Sequence, residues 1–185
     1  METLVDTNVL LRLLQPEHPQ YAIASMGLAG LRRQESDLCI ARQNVVEFWA
    51  VATRPVAENG LGMSPLTTAG EVRVLRDLFR VLEGKQGIAD AWEKLVSGHL
   101  VSGKQAHDAH LVAVMTLHGV RRILTFNGAD FRRYGSIEVI APSSIPVQDR
   151  HESVVGATAE CRAFVIGCFP RSRGRQTPRR GDLSC

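Results

Sequence analysis

The fold is first indicated by the amino-terminal stretch Thr3-Leu4-Val5-Asp6-Thr7-Asn8-Val9-Leu10-Leu11-Arg12. Its first three residues form a short β-favouring run that stops at Asp6, and Asn8 belongs to the residue types that cap helices. The apolar residues after Asn8 recur at helical spacing and stop before Pro16, because the residue preceding a proline is pushed out of the helical region. A strand that passes directly into a helix is the expected start of an α/β chain.

Strand and helix patterns continue to alternate as far as Pro146. Further apolar runs predict strands at Leu38-Cys39-Ile40, residues 78–82, Ile123-Leu124-Thr125-Phe126 and residues 137–140. Helical periodicity predicts helices over residues 20–33, 43–53, 67–78, 88–99 and 108–118. Alternation with short connections favours an α/β protein with three α/β/α layers and a central, mainly parallel sheet. Active sites of such sheets form at the carboxyl ends of strands, where Asp6 lies and which Asp130 follows closely.

Length and charge limit the class of protein to which the chain can belong. The chain has 185 residues, which suits one domain, and no apolar run approaches the roughly 18 residues of a membrane span. The amino terminus lacks the basic and apolar segments of a secretory signal, so we expect a cytoplasmic protein without membrane contact. The net charge of +3 comes from residues 151–185, which hold six Arg against Glu152, Glu160 and Asp182. The first 150 residues hold 16 basic and 16 acidic groups, so bulk charge does not indicate what they bind.

Cysteine usage divides the chain at nearly the same place. Cys39 stands alone before residue 150, so the main domain cannot form an internal disulfide, and no Cys or His spacing suggests a zinc site. We expect Cys39 to be a small buried side chain. The prediction is a main domain over residues 1–146 and a basic, Cys-containing extension over residues 147–185 that is largely disordered. The alternative for the extension is an Arg-rich tail that attracts phosphate without sequence preference.

Four carboxylates are the candidate catalytic residues, although each also has an ordinary structural explanation. Asp6 is as well suited to capping a helix as to catalysis. Glu47 lies on a polar stripe of its helix, which periodicity alone assigns to solvent. Asp108 stands at the start of a helix, where an acid interacts favourably with the helix dipole. Asp130 follows an Asn127-Gly128 turn, for which a local side-chain cap is the simpler explanation.

If the four acids converge, their chemistry suits metal-dependent hydrolysis of a phosphodiester, and the warrant for grouping them is the family resemblance of the segments around them. Carboxylates supply the hard oxygen ligands that Mg²⁺ and Mn²⁺ prefer, and such ions retain waters and meet substrate phosphate directly. Converging acids without a metal would repel one another and raise their own pKa values. We expect structural or solvent-exposed roles for the imidazoles, the indoles and the loop lysine, namely His99, His107, His110, His118, Trp49, Trp92 and Lys104.

The segments around these acids resemble the sequence blocks of PIN-domain nucleases, in particular the VapC-type toxins of type II toxin–antitoxin systems. The blocks are Val5-Asp6-Thr7-Asn8-Val9-Leu10-Leu11-Arg12, Gln43-Asn44-Val45-Val46-Glu47-Phe48-Trp49-Ala50-Val51 with Thr53-Arg54-Pro55, Gln105-Ala106-His107-Asp108-Ala109, and Ile123-Leu124-Thr125-Phe126-Asn127-Gly128-Ala129-Asp130-Phe131. Each short motif is weak alone, whereas four in order over residues 3–146 are strong.

The resemblance implies a PIN fold and a Mg²⁺- or Mn²⁺-dependent endoribonuclease. It implies that the acids Asp6, Glu47, Asp108 and Asp130 are catalytic and hold the metal. It further implies polar supports at Asn8 and at Thr125 or Asn127. The partners implied are an RNA substrate, a cognate VapB-like antitoxin and a second copy of the chain in a homodimer.

Two other functions are less consistent with these residues. A phosphatase of the haloacid-dehalogenase type also begins with an Asp at a strand end, but it needs a second acid two residues later, where this chain has Asn8. A catalytically weak PIN module could serve as an RNA-binding or assembly scaffold, and the presence of all four acids argues against that alternative.

Overall fold

A computed structural model describes residues 1–146, which form a five-stranded sheet with helices on both faces. The predicted extension over residues 147–185 lies outside the described residues. The strands are β1 Glu2–Val5, β2 Asp37–Ala41, β3 Arg80–Leu82, β4 Arg122–Leu124 and β5 Glu138–Ile140. The helices are α1 Thr7–Arg12, α2 Tyr21–Arg33, α3 Arg42–Thr53, α4 Pro65–Leu78, α5 Ile88–Gly98, α6 Gln105–His118 and α7 Gly128–Phe131. Across residues 1–146, no helix has the length and apolar character that a bilayer crossing requires.

The sheet is parallel throughout, in the order β3-β2-β1-β4-β5. Strand β1 lies at the centre, where Leu4 is in register with Cys39 of β2 on one side and with Ile123 of β4 on the other. The chain moves outward from β1 to β3 and then returns to add β4 on the opposite side of β1. The direction of strand addition therefore reverses between β1 and β4, which is where α/β sheets open a crevice at their carboxyl ends.

Alternate residues of the strands enter two separate hydrophobic cores, because successive side chains of a strand point to opposite faces. Val5, Ile40 and Leu124 pack with residues of α2, α3 and α4. Their neighbours Leu4, Cys39 and Ile123 pack on the other face with residues of α6. This arrangement confirms the predicted three-layer α/β/α fold with a parallel sheet. Cys39 is fully buried, as expected, with its thiol 3.6 Å from the Thr3 carbonyl oxygen.

The boundaries differ from the sequence predictions near the acids. Helix α6 begins at Gln105 rather than at Asp108, two residues after Gly103, which adopts a left-handed conformation (φ 58°) in the preceding loop. Strand β4 ends at Leu124, so the prediction that Thr125 and Phe126 belong to the strand is wrong. Thr125 still donates its backbone N–H to the Ile140 carbonyl at 3.0 Å, and its side chain turns to β1 instead. The predicted Asn127-Gly128 turn leads into the short helix α7.

Candidate active site

Asp6 lies directly after β1, at the point where the strand order reverses. Its Oδ2 atom accepts hydrogen bonds from the Thr125 hydroxyl at 2.6 Å and from Asn8 Nδ2 at 2.8 Å. Asp6 occupies the N-cap position of α1, yet its side chain makes no capping hydrogen bond. With 9% of its surface exposed, the residue is a buried acid that joins the ends of β1 and β4. Capping alone therefore does not account for it.

The predicted polar supports take different parts in this arrangement. Asn8 Nδ2 also lies 3.0 Å from the Thr125 hydroxyl, and Asn8 Oδ1 accepts the backbone N–H of Phe126 at 3.2 Å. The Thr125 hydroxyl accepts the backbone N–H of Asn127 at 3.0 Å. Asn8 and Thr125 thus reach Asp6 through their side chains. Asn127 takes part through its backbone, and its exposed side chain has no hydrogen bond described within residues 1–146.

Glu47 projects from the second turn of α3 and is held at both carboxylate oxygens. Thr7 donates its hydroxyl hydrogen to Oε2 at 2.7 Å, and Gln43 donates from Nε2 to Oε1 at 2.7 Å. Thr7 is itself fixed by Asn44 Nδ2 at 2.9 Å, while Asn44 Oδ1 accepts the backbone N–H of Ala41 at 2.8 Å. Glu47 is half-buried, so the polar stripe of α3 faces this site rather than open solvent.

Asp108 and Asp130 come from the opposite side of the crevice. Asp108 stands in the first turn of α6 and Asp130 in α7, and both side chains are half-buried. The charge of Asp130 contributes to raising the pKa of Asp108, which shows that the two carboxylates are close enough to interact. Asp130 follows β4 in α7, and Asp108 stands at the start of α6. Both acids therefore lie at the same end of the sheet as Asp6.

The electrostatics link all four acids into one group. Burial raises the pKa of Asp6 from 3.8 to about 6, against the opposing hydrogen bonds from Thr125 and the Thr7 backbone, and the charges of Glu47 and Asp108 raise it further. Burial also raises the pKa of Asp108 to about 6, assisted by the charges of Asp130 and Glu47. His107 and Arg133 act in the opposite direction on Asp108. The site thus concentrates negative charge that His107 and Arg133 offset only in part.

The donor set fits a hard divalent cation that keeps part of its water shell. None of the ion pairs described within residues 1–146 includes any of the four acids. No three His, Cys, Asp or Glu side chains in that part of the chain are spaced to hold an ion by themselves. Mg²⁺ commonly binds one or two carboxylates and retains several waters. The oxygen-only donors and the unneutralised charge therefore suit Mg²⁺ or Mn²⁺, with waters completing the coordination.

The sequence assigned no role to Thr7, Gln43 and Asn44, and it predicted a helix-surface or cap role for His110, which instead pairs with Gln43. Gln43 and Glu47 are separated by four residues, the spacing at which helical side chains meet, and this signal was available in the sequence. The pairing of His110 Nδ1 with Gln43 Oε1 at 2.6 Å spans 67 positions and had no local signal. Burial lowers the pKa of His110, and the charge of His107 lowers it further, whereas that of Glu47 opposes the shift.

The two tryptophans and the loop lysine considered in the sequence lie outside the site. Trp92 packs against the core of the α6 face and donates its indole N–H to the Ala106 carbonyl at 2.9 Å, while Trp49 is 38% exposed. Lys104 is exposed, as expected. A separate open groove of about 720 Å³ includes Glu2 and Arg80, which begin β1 and β3 and form an ion pair with each other. That groove lies at the amino ends of the strands, away from the acids.

A profile of the PIN-domain family matches residues 3–137. The fold is similar to that of VapBC2 from Rickettsia felis bound to a fragment of promoter DNA, with a TM-score of 0.58 and 10% identity over 76% of this chain and 98% of that chain. It is similar to VapBC-1 from nontypeable Haemophilus influenzae, with a TM-score of 0.57 and 14% identity over 77% and 99%. For VapC20 of Mycobacterium tuberculosis, described as a toxin that cleaves the sarcin–ricin loop, the TM-score is 0.53 with 18% identity over 71% and 95%. No curated protein matches the chain in sequence.

Proposed function

This chain belongs to the PIN-domain family, and we propose that it is a Mg²⁺- or Mn²⁺-dependent endoribonuclease that acts as the toxin of a toxin–antitoxin system. The observation that supports the chemistry is the convergence of acids at the strand-order reversal. Asp6 and Asp108 both have pKa values raised to about 6, and the charges of Glu47 and Asp130 contribute to these shifts. Groups with strongly perturbed pKa values in a crevice are typical of functional sites.

Each acid has a proposed role. Asp6, Glu47, Asp108 and Asp130 would hold the divalent cation directly or through its waters, as the resemblance implies. Asn8 and Thr125 would orient Asp6, since both donate to its Oδ2 atom. Asn127 would support Thr125 through its backbone N–H. A bound divalent cation supplies a water of lowered pKa and stabilises charge on the phosphoryl oxygens of the substrate.

The residues themselves would prepare the site for that chemistry. Hydrogen bonds to both oxygens of Glu47 and to Oδ2 of Asp6 fix the directions in which their lone pairs point. Deprotonation of Asp6 and Asp108 leaves them able to bind a cation, and both groups lose their proton near pH 6. Arg133, close enough to lower the pKa of Asp108, would offer a cation to the RNA backbone.

The partners of the protein are also proposed by analogy. Solved relatives of the same fold include toxin–antitoxin complexes from Haemophilus influenzae and Klebsiella pneumoniae, each under 25% identical to this chain. We propose that this chain likewise binds a VapB-like antitoxin, forms a homodimer and acts on RNA in the cytoplasm.

The central experiment measures cleavage of total bacterial RNA by the purified full chain with and without Mn²⁺ or Mg²⁺. Wild type should produce discrete fragments that chelation with EDTA abolishes, and sequencing of their 5′ ends should define the cleavage site. Asp108→Asn should lose about 100-fold or more of the rate, a loss at least as large as that caused by removing an outer partner of a metal ligand. Asp90→Asn is the matched control, because Asp90 also stands in the first turn of a helix, α5, but is exposed.

Two outcomes would contradict the proposal. Cleavage by Asp108→Asn at the rate of Asp90→Asn would show that the assigned acid is not needed. RNA that is bound by wild type but never cleaved, with either metal, would favour the alternative of a catalytically weak PIN module that acts as a scaffold.

A further inference from the structure

Gln43 joins the two helices that carry Glu47 and Asp108. Its Nε2 atom donates to Glu47 Oε1 at 2.7 Å and to the backbone carbonyl of His107, in α6, at 2.9 Å. Its Oε1 atom lies 2.6 Å from His110 Nδ1, also in α6. Both hydrogen bonds described between α3 and α6 therefore involve this one side chain. Asp108 lies between the two residues of α6 that Gln43 contacts.

The orientation of the Gln43 amide follows from its partners. A carboxylate oxygen and a backbone carbonyl oxygen only accept hydrogen bonds, so both must face the NH₂ group of Gln43. Oε1 is thereby turned toward His110, whose Nδ1 must carry a hydrogen and donate it. Both hydrogens of the amide nitrogen are used in hydrogen bonds. Rotating the amide by half a turn would place its oxygen opposite two oxygens that can only accept.

We propose that Gln43, held in place by His110, is a positioning residue that fixes the carboxylate of Glu47 relative to Asp108 for binding of the divalent cation. The inference rests on the proposed function, since it assigns Glu47 and Asp108 to one metal site. Thr7 restrains the other oxygen of Glu47, so Gln43 supplies the restraint that connects Glu47 to α6. Partners that orient metal ligands commonly affect metal affinity or activity about 10–100-fold when they are removed.

A purely structural clamp would behave differently from a positioning residue. Loss of a clamp lowers the stability of the metal-free protein but leaves the metal affinity of the folded fraction unchanged. Loss of a positioning residue weakens metal binding and lowers kcat, while KM for RNA should stay close to that of wild type because this role acts through Glu47 and not through contact with substrate. Mn²⁺ affinity, measured by calorimetry on the full chain, separates the two roles without reference to RNA cleavage.

The experiment compares Gln43→Met, His110→Leu and His110→Asn with wild type. Methionine keeps the length of the Gln side chain without its hydrogen bonds, and Gln86→Met, in the exposed loop before α5, is the matched control. Asparagine can place an N–H donor near the position of His Nδ1, whereas leucine cannot. Gln43→Met should bind Mn²⁺ about 10-fold more weakly and lose about 10–100-fold in kcat. His110→Leu should show a smaller loss in the same direction, and His110→Asn should restore most of it.

The proposal would be overturned if folded Gln43→Met bound Mn²⁺ as tightly as Gln86→Met does. Equal losses of Mn²⁺ affinity in His110→Leu and His110→Asn would also overturn it. Should Gln43→Met not fold, the comparison of the two His110 variants decides. Wild type that binds Mn²⁺ but does not cleave RNA would contradict the proposed function, yet the Mn²⁺ affinities would still test Gln43. Wild type that binds no Mn²⁺ would refute the positioning role.

Discussion

Replacing Asp6 with Asn is expected to stabilise the metal-free protein at neutral pH. Burial is the main cause of the rise in the Asp6 pKa from 3.8 to about 6, so the folded state disfavours the ionised carboxylate. Each pKa unit corresponds to about 1.4 kcal/mol, which makes the cost of ionised Asp6 to folding about 3 kcal/mol. Asparagine removes the charge and keeps an oxygen that can accept from Thr125 and Asn8. The NH₂ group of asparagine replaces the second carboxylate oxygen and cannot accept a hydrogen bond. This loss offsets part of the benefit, so we expect a net gain in the free energy of unfolding of about 1–3 kcal/mol.

The sign of the pH dependence follows from the direction of this shift. The folded state holds the Asp6 proton more tightly than the unfolded state does. The stabilising contribution of protonated Asp6 is therefore complete below pH 3.8 and is lost as the pH rises through about 6. Asp6→Asn removes this loss, and its advantage over wild type should grow by about 1 kcal/mol between about pH 5 and about pH 7.5.

Urea denaturation in EDTA at these two pH values measures the effect. Asp37→Asn is the control, because Asp37 is an exposed acid at the start of β2 and its replacement should change stability by less than about 0.5 kcal/mol. Added Mn²⁺ should raise the stability of wild type and leave Asp6→Asn largely unchanged, since binding stabilises only a protein that retains the site. An Asp6→Asn variant that is less stable than wild type at about pH 7.5, or whose difference from wild type does not depend on pH, would refute this reasoning.

Two further substitutions test the site and the packing beneath it. Thr125→Val removes the donor to Asp6 Oδ2 and the acceptor for the Asn127 N–H, so it should lower the free energy of unfolding in urea by about 1–3 kcal/mol. It should also raise the Asp6 pKa above about 6 and move the pH midpoint of Mn²⁺ binding upward. Thr125→Ser keeps the hydroxyl and should behave like wild type. Gly27→Ala should cost about 1–3 kcal/mol by thermal unfolding, because its Cβ would lie 3.0 Å from the Pro142 carbonyl oxygen, whereas Gly70→Ala, in α4 with nothing within 4 Å, should be neutral or stabilising. Equal stabilities of the two alanine variants would contradict the packing explanation.

Much of the fold could be predicted because its signals are local. The β-favouring run before Asp6 and the apolar runs around Cys39 and Ile123 each identify a strand from a few neighbouring residues. Parallel pairing follows from the helices between them, since parallel strands require long crossovers. The end of β4 was misplaced because Thr125 favours a strand in isolation. In the structure its hydroxyl donates a hydrogen bond to Asp6, which lies 119 positions away in the sequence.

The site was only partly predictable for the same reason. Periodicity placed Glu47 on a polar stripe of α3 but contained nothing about what that stripe faces. The answer depends on Thr7, which precedes Glu47 by 40 positions, and on α6, which follows much later. Asp6 was equally compatible with capping until its side chain was seen to accept hydrogen bonds from Asn8 and Thr125 instead. Local patterns identify candidate acids, whereas their convergence depends on the order of strands in the sheet.

Structural needs alone do not explain why Asp6 is an acid. A buried carboxylate that no ion pair within residues 1–146 neutralises weakens the fold at neutral pH, and Asn would satisfy much of the same hydrogen bonding at lower cost. Asp108 faces a similar penalty, to which Asp130 and Glu47 both add. Proteins depart from the most stable choice mainly at functional sites. A divalent cation would turn the repulsion among these carboxylates into attraction for a shared ligand, so the same feature that destabilises the empty site supports metal binding as its purpose.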